Sequence, residues 1–182
     1  MKREAVLQTK TLMISAGHSH SDPGAVGNGY TEADIALEFR DLVADELRKR
    51  GAVFSKDGER GQNLPLRTAA LLASKTDIAV EFHCNAFSSP SATGVETLSS
   101  PEHFRFGERL CQAVAKTLEI NNRGAKAANS GQHSRLAFIA QGNGVILELF
   151  FITNPRDVAA YQARKERLAA AVAAVLIEEI CQ

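Results

Sequence analysis

A single acidic residue interrupts the most apolar stretch of this chain. The run from 145 to 152 holds one glutamate, Glu148, among apolar residues, and it is bounded by Gly144 and by Asn154-Pro155. A short apolar run between turn residues is typical of a buried central strand. A carboxylate in such a strand costs on the order of several kcal/mol unless it is neutralised, paired or placed beside a metal ion. Glu148 is therefore either a functional residue or the partner of a buried arginine.

Segments of strand and helix character alternate along the chain. The apolar patterns predict strands at 11–16, 52–55, 77–84, 94–99, 136–140 and 145–152. Helices are expected to begin at Thr31, Leu64, Pro101 and Pro155, the last as a short helix followed by a long one, and residues 121–134 to form a polar loop. The alternation predicts an α/β fold, a three-layer single domain with a largely parallel central sheet flanked by helices. The active site of such a fold lies at the carboxyl ends of the strands.

Composition excludes several classes of partner. The formal net charge is zero over 182 residues, which argues against a nucleic-acid partner. Three separated cysteines form neither a disulfide framework nor a cysteine-based zinc site. No apolar run approaches the roughly 20 residues of a membrane span, so integral membrane contact is not expected. Residues 1–9 are expected to be an N-terminal extension of the domain, and they lack the apolar core of a signal peptide. We therefore expect synthesis in the cytoplasm.

Three potential metal ligands stand at the edges of predicted elements. His18 follows the first strand, Glu32 begins the first helix and His83 ends the third strand, so the three can meet at one edge of the sheet. Two imidazoles and one carboxylate form a catalytic zinc set that leaves a position for water. Glu148 would then serve as general base and afterwards as general acid. Alternatively, Glu32 favours the helix dipole, His83 is a core residue and His18 is exposed to solvent.

The motifs around these residues resemble a known family. Residues 17–25 resemble the GHxxxDPGA signature of zinc-dependent N-acetylmuramoyl-L-alanine amidases of type 3. The family's ligand glutamate at a helix start corresponds to residues 31–34, and its IHxNA segment corresponds to residues 82–86. Its GVEx and VExGFxSN segments resemble residues 94–97 and 147–154. The resemblance runs from about residue 11 to the C-terminus. The motifs together are far more specific than any one alone.

The resemblance implies the residues, the metal and the substrate. It implies that His18, Glu32 and His83 bind Zn²⁺ and that Glu148 is the catalytic carboxylate. The substrate would be peptidoglycan, cut at the amide between the lactyl group of N-acetylmuramic acid and L-alanine of the stem peptide, with lysis of the cell wall as the result.

Three residues depart from the family's pattern. Glu81 lies two residues before His83 and therefore on the same face of a strand, where it could orient that imidazole or be a surface carboxylate. Phe150 replaces a glycine and could narrow the cleft or change substrate preference. His20 could compete as a ligand, contact substrate or be an inert loop residue.

Further candidates for substrate contact are polar residues near the predicted site. Asn85 follows the third strand, and Lys126 and His133 lie in the predicted polar loop, where the alternative for both is solvation. Cys84 adjoins His83 but points to the opposite face of the strand, which disfavours a Cys–His nucleophilic pair.

The catalytic domain is expected to occupy residues 1–182, without a separate cell-wall-binding domain, and to be monomeric. A phage-type endolysin, released from the cytoplasm to act at the wall or periplasm, is favoured over a bacterial autolysin. Two other functions stay open. One is a zinc peptidase that cuts within the stem peptide, and the other is a non-catalytic wall-binding protein of the same fold.

Overall fold

The computed structural model describes residues 9–19, 21–130 and 136–182, and within them eight strands and five α-helices alternate. The strands are β1 (Leu12–Ala16), β2 (Val26–Gly27), β3 (Tyr30–Thr31), β4 (Ser55–Lys56), β5 (Ile78–Asn85), β6 (Val95–Ser99), β7 (Asn122–Ala127) and β8 (Val145–Phe151). The helices are α1 (Glu32–Lys49), α2 (Leu66–Ala73), α3 (Phe104–Leu118), α4 (Ala137–Ala140) and α5 (Pro155–Ile180), with a short 3₁₀ turn before α3.

Six of these strands form one sheet in the order β4-β1-β5-β8-β6-β7. The first four run parallel to one another, whereas β6 is antiparallel to β8 and parallel to β7. The prediction of a largely parallel sheet is therefore confirmed. Because β6 and β7 run in reverse, their amino-terminal ends meet the carboxyl ends of β1, β5 and β8 at one edge of the sheet. Glu148 lies on β8, the strand between β5 and β6.

Helices cover both faces of the sheet, as the three-layer prediction required. The larger core packs α1, α3 and α5 against one face, where Val80, Phe82 and Leu147 are buried. The smaller core packs α2 and α4 against the other face, where Ala79 and Ile146 are buried. Side chains alternate between the two faces along a strand. Glu81, His83 and Glu148 therefore continue the row of Ala79 and Ile146 on the less covered face.

Two of the predicted elements were wrong in type. Residues 136–140, predicted as a strand, contain the short helix α4, because a short apolar run does not by itself distinguish a strand from a buried helix. Residues 121–134, predicted as a loop, contain β7, a strand at the edge of the sheet. Its sequence lacks the apolar alternation of a half-buried strand because an edge strand needs fewer buried side chains.

Two further predictions were wrong in extent. The strand expected at 52–55 is the shorter β4, Ser55–Lys56, which shares only Ser55 with the predicted range. The two helices expected after Pro155 are the single helix α5, whose first turn is capped by the Asn154 side chain accepting from the backbone N–H of Arg156 at 2.8 Å. An asparagine cap followed by proline at the first helical position starts a helix efficiently.

In the described parts of the chain, no helix combines the length and the apolar composition needed to cross a bilayer.

Candidate metal centre

His18 stands on a strained turn directly after β1. Its φ of 62° is in the left-handed region, which costs a residue with a side chain roughly 1–2 kcal/mol. The Asn63 side-chain amide donates to the carbonyl oxygens of Ala16, at 3.3 Å, and of His18 itself. On the imidazole, Nδ1 lies 3.0 Å from Asp22 Oδ2. The turn and these partners direct Nε2 toward Glu32.

Glu32 is the first residue of α1 and is buried. The helix begins here because Thr31, the predicted helix start, caps it, with Thr31 Oγ1 accepting from the Asp34 backbone N–H at 3.1 Å. Glu32 Oε2 lies 3.2 Å from His18 Nε2, and Glu32 Oε1 lies 2.8 Å from His83 Nδ1. The carboxylate therefore stands between the two imidazoles.

Two backbone donors and the imidazoles keep Glu32 ionised. Its oxygens accept from the N–H groups of Ala25, at 2.9 Å, and Cys84, at 3.1 Å. Burial alone would raise its pKa, but the contacts with His18 and His83 hold the pKa well below its usual range. The same contact raises the pKa of His18.

His83 lies near the end of β5 between two carboxylates. Its Nε2 lies 2.9 Å from Glu81 Oε2, on the side away from Glu32, and Glu81 in turn accepts from the Ser15 hydroxyl at 3.2 Å. Burial opposes protonation of His83, but Glu32 and Glu81 together raise its pKa well above the usual value. Glu81 is thus a buried partner of the imidazole and not the surface carboxylate that was the alternative.

Two glycines allow these side chains to approach the backbone. A Cβ added to Gly17 would lie 2.2 Å from Cε1 of His83. A Cβ added to Gly24 would lie 2.6 Å from both Glu32 Oε2 and His18 Cδ2, and Gly24 also has a φ of 65°. Only glycine leaves room at these two positions.

The three side chains form one group that could hold a metal ion. His18, Glu32 and His83 each offer one ligand atom, and these atoms lie within 4.8 Å of one another. The imidazole rings meet edge to face, with centroids 5.1 Å apart. Two nitrogens and one oxygen, converging from separate elements, fit a divalent metal of the zinc type.

Glu148 is the register partner of His83 on the neighbouring strand β8. Among the described residues its Oε2 is buried without a hydrogen-bond partner. Burial raises the pKa of Glu148 to about 7, and nearby Glu32 and Glu96 add to the effect while His83 opposes it. Glu148 is thus a partly buried acid beside the potential metal ligands, and among the described residues no arginine forms an ion pair with it.

On its other side, Glu148 faces Glu96, its register partner on β6. Glu96 accepts hydrogen bonds from Asn85 Nδ2 at 3.0 Å and from Arg123 Nε and Lys126 Nζ, each at 2.6 Å. Burial would raise the pKa of Glu96, but the two cations hold it below its usual value. The sequence interpretation missed Arg123 because it assigned residues 121–134 to a loop. It missed Glu96 because the antiparallel pairing of β6 with β8 is not visible in the local sequence.

The remaining candidates divide into three groups. His20 and His133, predicted as possible substrate contacts, lie outside the described residues. Phe150 does not narrow the cleft, since its side chain is fully buried in the larger core with its ring centroid 5.1 Å from that of Tyr161. Cys84 is also in the larger core, opposite His83, and burial raises the pKa of its thiol well above the usual value.

Comparison with known proteins identifies the family. Residues 12–178 match the family described as N-acetylmuramoyl-L-alanine amidase. The chain is 32% identical over 158 residues to the uncharacterized protein YqiI of Bacillus subtilis, covering 83% of this chain and 74% of YqiI. It is 29% identical over 157 residues to the N-acetylmuramoyl-L-alanine amidase LytC of Bacillus subtilis, covering 81% of this chain but only 30% of LytC.

A solved structure agrees with this assignment. The chain superimposes with a TM-score of 0.87 and 41% identity on a protein of Neisseria meningitidis that is provisionally assigned as an N-acetylmuramoyl-L-alanine amidase, covering 94% of this chain and 96% of that one. The family match spans nearly all of the elements described above, including the strands that carry His83 and Glu148. The chain belongs to the N-acetylmuramoyl-L-alanine amidase family of hydrolases.

Proposed function

We propose that this chain is a zinc-dependent amidase that cuts peptidoglycan between the lactyl group of N-acetylmuramic acid and L-alanine of the stem peptide. Family membership supplies the enzyme class and the substrate class. The observation that carries the mechanism is the register pairing of His83 with Glu148, which sets an unpaired buried carboxyl oxygen beside three potential metal ligands.

His18, Glu32 and His83 would hold the metal ion. When bound, Zn²⁺ would supply Lewis acidity, polarising the scissile carbonyl and lowering the pKa of a water molecule. The ionised state of Glu32 suits this role, because a carboxylate and two imidazoles leave a residual charge of +1 on the site. Asp22 and Glu81 would each hold one imidazole in place through its other ring nitrogen.

Glu148 would move the proton. In hydrolysis, a water oxygen bonds to the lactyl carbonyl carbon, the carbon–nitrogen bond breaks, and one proton passes from the water to the L-alanine nitrogen. A carboxyl group that has one buried, unpaired oxygen and a pKa near neutrality can accept and then donate that proton. A bound cation would lower its pKa and favour the carboxylate that the first step needs.

Mass spectrometry of digested sacculi tests this proposal. The amidase produces glycan strands with free lactyl carboxylates and intact stem peptides that begin with L-alanine. Shortened stems that remain attached to the glycan would instead identify a zinc peptidase, and an unchanged sacculus would identify a non-catalytic wall-binding protein. Chelation should abolish release, and addition of one equivalent of Zn²⁺ per chain should restore it.

The site of action follows from the substrate. If peptidoglycan is cut, the protein works at the cell wall, and the zero net charge is consistent with an uncharged glycan rather than a nucleic acid as the partner. The single catalytic domain over residues 1–182, the monomeric state and the endolysin-type route to the wall stay predictions.

A further inference from the structure

A charged cluster adjoins Glu148 on the side away from the metal ligands. We refer to Glu96, Arg123 and Lys126 as the β6–β7 cluster. Its members lie on the two reversed strands, and Glu96 is the register partner of Glu148. The cluster therefore borders the reacting centre from the opposite direction to His83.

The β6–β7 cluster carries an excess of positive charge. Arg123 and Lys126 each contribute one positive charge and Glu96 contributes one negative charge, since the two cations keep its carboxyl ionised. One positive charge is therefore not compensated within the cluster. A partly buried cation beside a cleft attracts anionic groups of a ligand more strongly than a cation in open solvent does.

Within the part of the chain that the structure describes, both cations retain unused hydrogen-bond donors. Arg123 contacts Glu96 through Nε, and within the described residues its two terminal nitrogens make no hydrogen bond. Phe151 supports the guanidinium plane, with its ring centroid 5.0 Å from Arg123 Cζ. Lys126 directs one of its three donors to Glu96. The two side chains are 39% and 32% exposed, so a ligand can reach them.

We propose that Arg123 and Lys126 form a subsite for a free carboxylate of the stem peptide. This inference rests on the proposed amidase function. In the intact substrate, the carboxyl group of muramic acid is consumed in the scissile amide, so the glycan near the bond carries no free carboxylate. The anionic groups belong to the peptide, where the residue after L-alanine bears either a carboxylate or a carboxamide. An arginine with free terminal nitrogens pairs with a planar carboxylate in two parallel hydrogen bonds.

Glu96 and Asn85 act as positioning residues in this subsite. Glu96 fixes Arg123 Nε and Lys126 Nζ through one oxygen, and Asn85 holds the other oxygen. Asn85 is itself fixed to the sheet edge, because its carbonyl accepts from the Ile152 N–H at 2.8 Å. The subsite is thus anchored to the strand that carries His83, which would set the peptide relative to the metal centre.

A matched pair of soluble muramoyl-tetrapeptides tests the proposal on the unmodified, zinc-loaded protein. The two substrates differ only in whether the second peptide residue carries a free α-carboxylate or a carboxamide. We expect kcat/KM for the carboxylate form to exceed that for the carboxamide form roughly tenfold, with the difference mainly in KM. The preference should shrink as ionic strength rises, since both cations are partly exposed.

Variants of the cluster should shift this preference in opposite directions. Arg123→Gln and Lys126→Gln should each bring the ratio of the two kcat/KM values toward one. Glu96→Gln should raise the ratio above that of the wild type, because it removes the only negative charge of the cluster. Lys116→Gln, a change of the same type at an exposed site on α3, should leave the ratio as it is.

A purely structural role would give a different pattern. If the cluster only holds the strands together, all three variants lose activity toward both substrates and the ratio stays at one, which overturns the inference. Failure to cleave either substrate contradicts the amidase function instead. In that case, calorimetric binding of the same pair to Glu148→Gln still decides the preference, and equal affinities overturn the subsite.

Discussion

The Asn63 side-chain amide donates a hydrogen bond to the carbonyl of His18, the residue whose φ of 62° is in the left-handed region. A second contact joins the same amide nitrogen to the carbonyl of Ala16, at 3.3 Å. Asn63 therefore bridges the two residues that flank Gly17 and holds the strained turn in one conformation. In a metal site, such preorganisation reduces the cost of ordering the ligand when the ion binds.

Asn63→Ala should weaken metal binding by about fivefold to tenfold, because the net value of a hydrogen bond is about 1 kcal/mol. Competition with a chelator of known affinity measures this. Asn121→Ala, an exposed asparagine beside β7, serves as the matched control and should leave affinity as in the wild type. Equal affinities in wild type and Asn63→Ala would contradict the role of the turn.

Gly17→Ala should abolish metal binding while the sheet still forms. The added Cβ would lie 2.2 Å from the His83 ring, so the imidazole must move away from the other two potential ligands. A displacement of a catalytic group by about 1 Å lowers activity about 100-fold. Gly29→Ala is the control, because a Cβ there meets nothing within 4 Å, although its φ of 83° adds strain. Gly29→Ala should lose about 1 kcal/mol of stability but keep the metal. Metal content and thermal unfolding of both variants separate the two effects.

Metal affinity should fall steeply as pH decreases. The pKa values of His18 and His83 are raised by their carboxylate neighbours, so protons compete with the ion at a higher pH than for free imidazole. If binding of the metal ion displaces one proton from each imidazole, the apparent affinity falls by up to about 100-fold for each pH unit of acidification. Glu81→Gln removes one neighbour of His83, which should move the decline to lower pH. Calorimetric titration across pH measures the shift, and an affinity independent of pH would contradict the ligand set.

Glu148→Gln should keep the metal but lower the rate of amide hydrolysis by about 100- to 10,000-fold, because the proton acceptor is lost. Glu166→Gln, on the exposed face of α5, is the matched control and should keep the wild-type rate. A Glu148→Gln variant that retains zinc and lyses walls at the wild-type rate would exclude the mechanism.

The same substitution should stabilise the metal-free protein at alkaline pH. The pKa of Glu148 is raised from 4.5 to about 7, so the protonated form is favoured by folding. Its contribution to stability is full below pH 4.5 and is lost as pH rises through about 7. At pH about 8, Glu148→Gln should therefore increase the free energy of unfolding by about 1–3 kcal/mol, and the gain should vanish in acid. Denaturant unfolding at the two pH values checks this.

The sequence predicted the three potential metal ligands from their positions in the chain. His18 follows β1, Glu32 begins α1 and His83 lies near the end of β5. Parallel strands bring such ends to one edge of the sheet. The period of a strand likewise placed Glu81 on the face of His83, as found. These inferences succeed because the two-residue period of a strand and the ends of helices and strands can be read from the local sequence.

The β6–β7 cluster, on the other side of Glu148, could not be predicted in this way. Arg123 and Lys126 lie on β7, whose polar sequence does not distinguish an edge strand from a loop. The pairing of Glu96 with Glu148 depends on the reversal of β6, which is a property of the whole sheet. The buried contact of Arg40 with Asp57, at 2.8 Å, joins α1 to the segment after β4 and is also invisible in the local sequence.

The reversal of β6 and β7 places two proposed functions, hydrolysis and peptide selection, on different strands of one sheet. In the proposed mechanism, the parallel strands β5 and β8 carry His83 and Glu148, and the reversed pair carries the charges that we infer to select the peptide. Among the described residues β7 is the last strand of the sheet, so the turns beside it can lengthen or change sequence with few consequences for the interior. Changes in β7 and its turns could therefore alter which peptide is selected, while the strands that carry His83 and Glu148 keep their sequence.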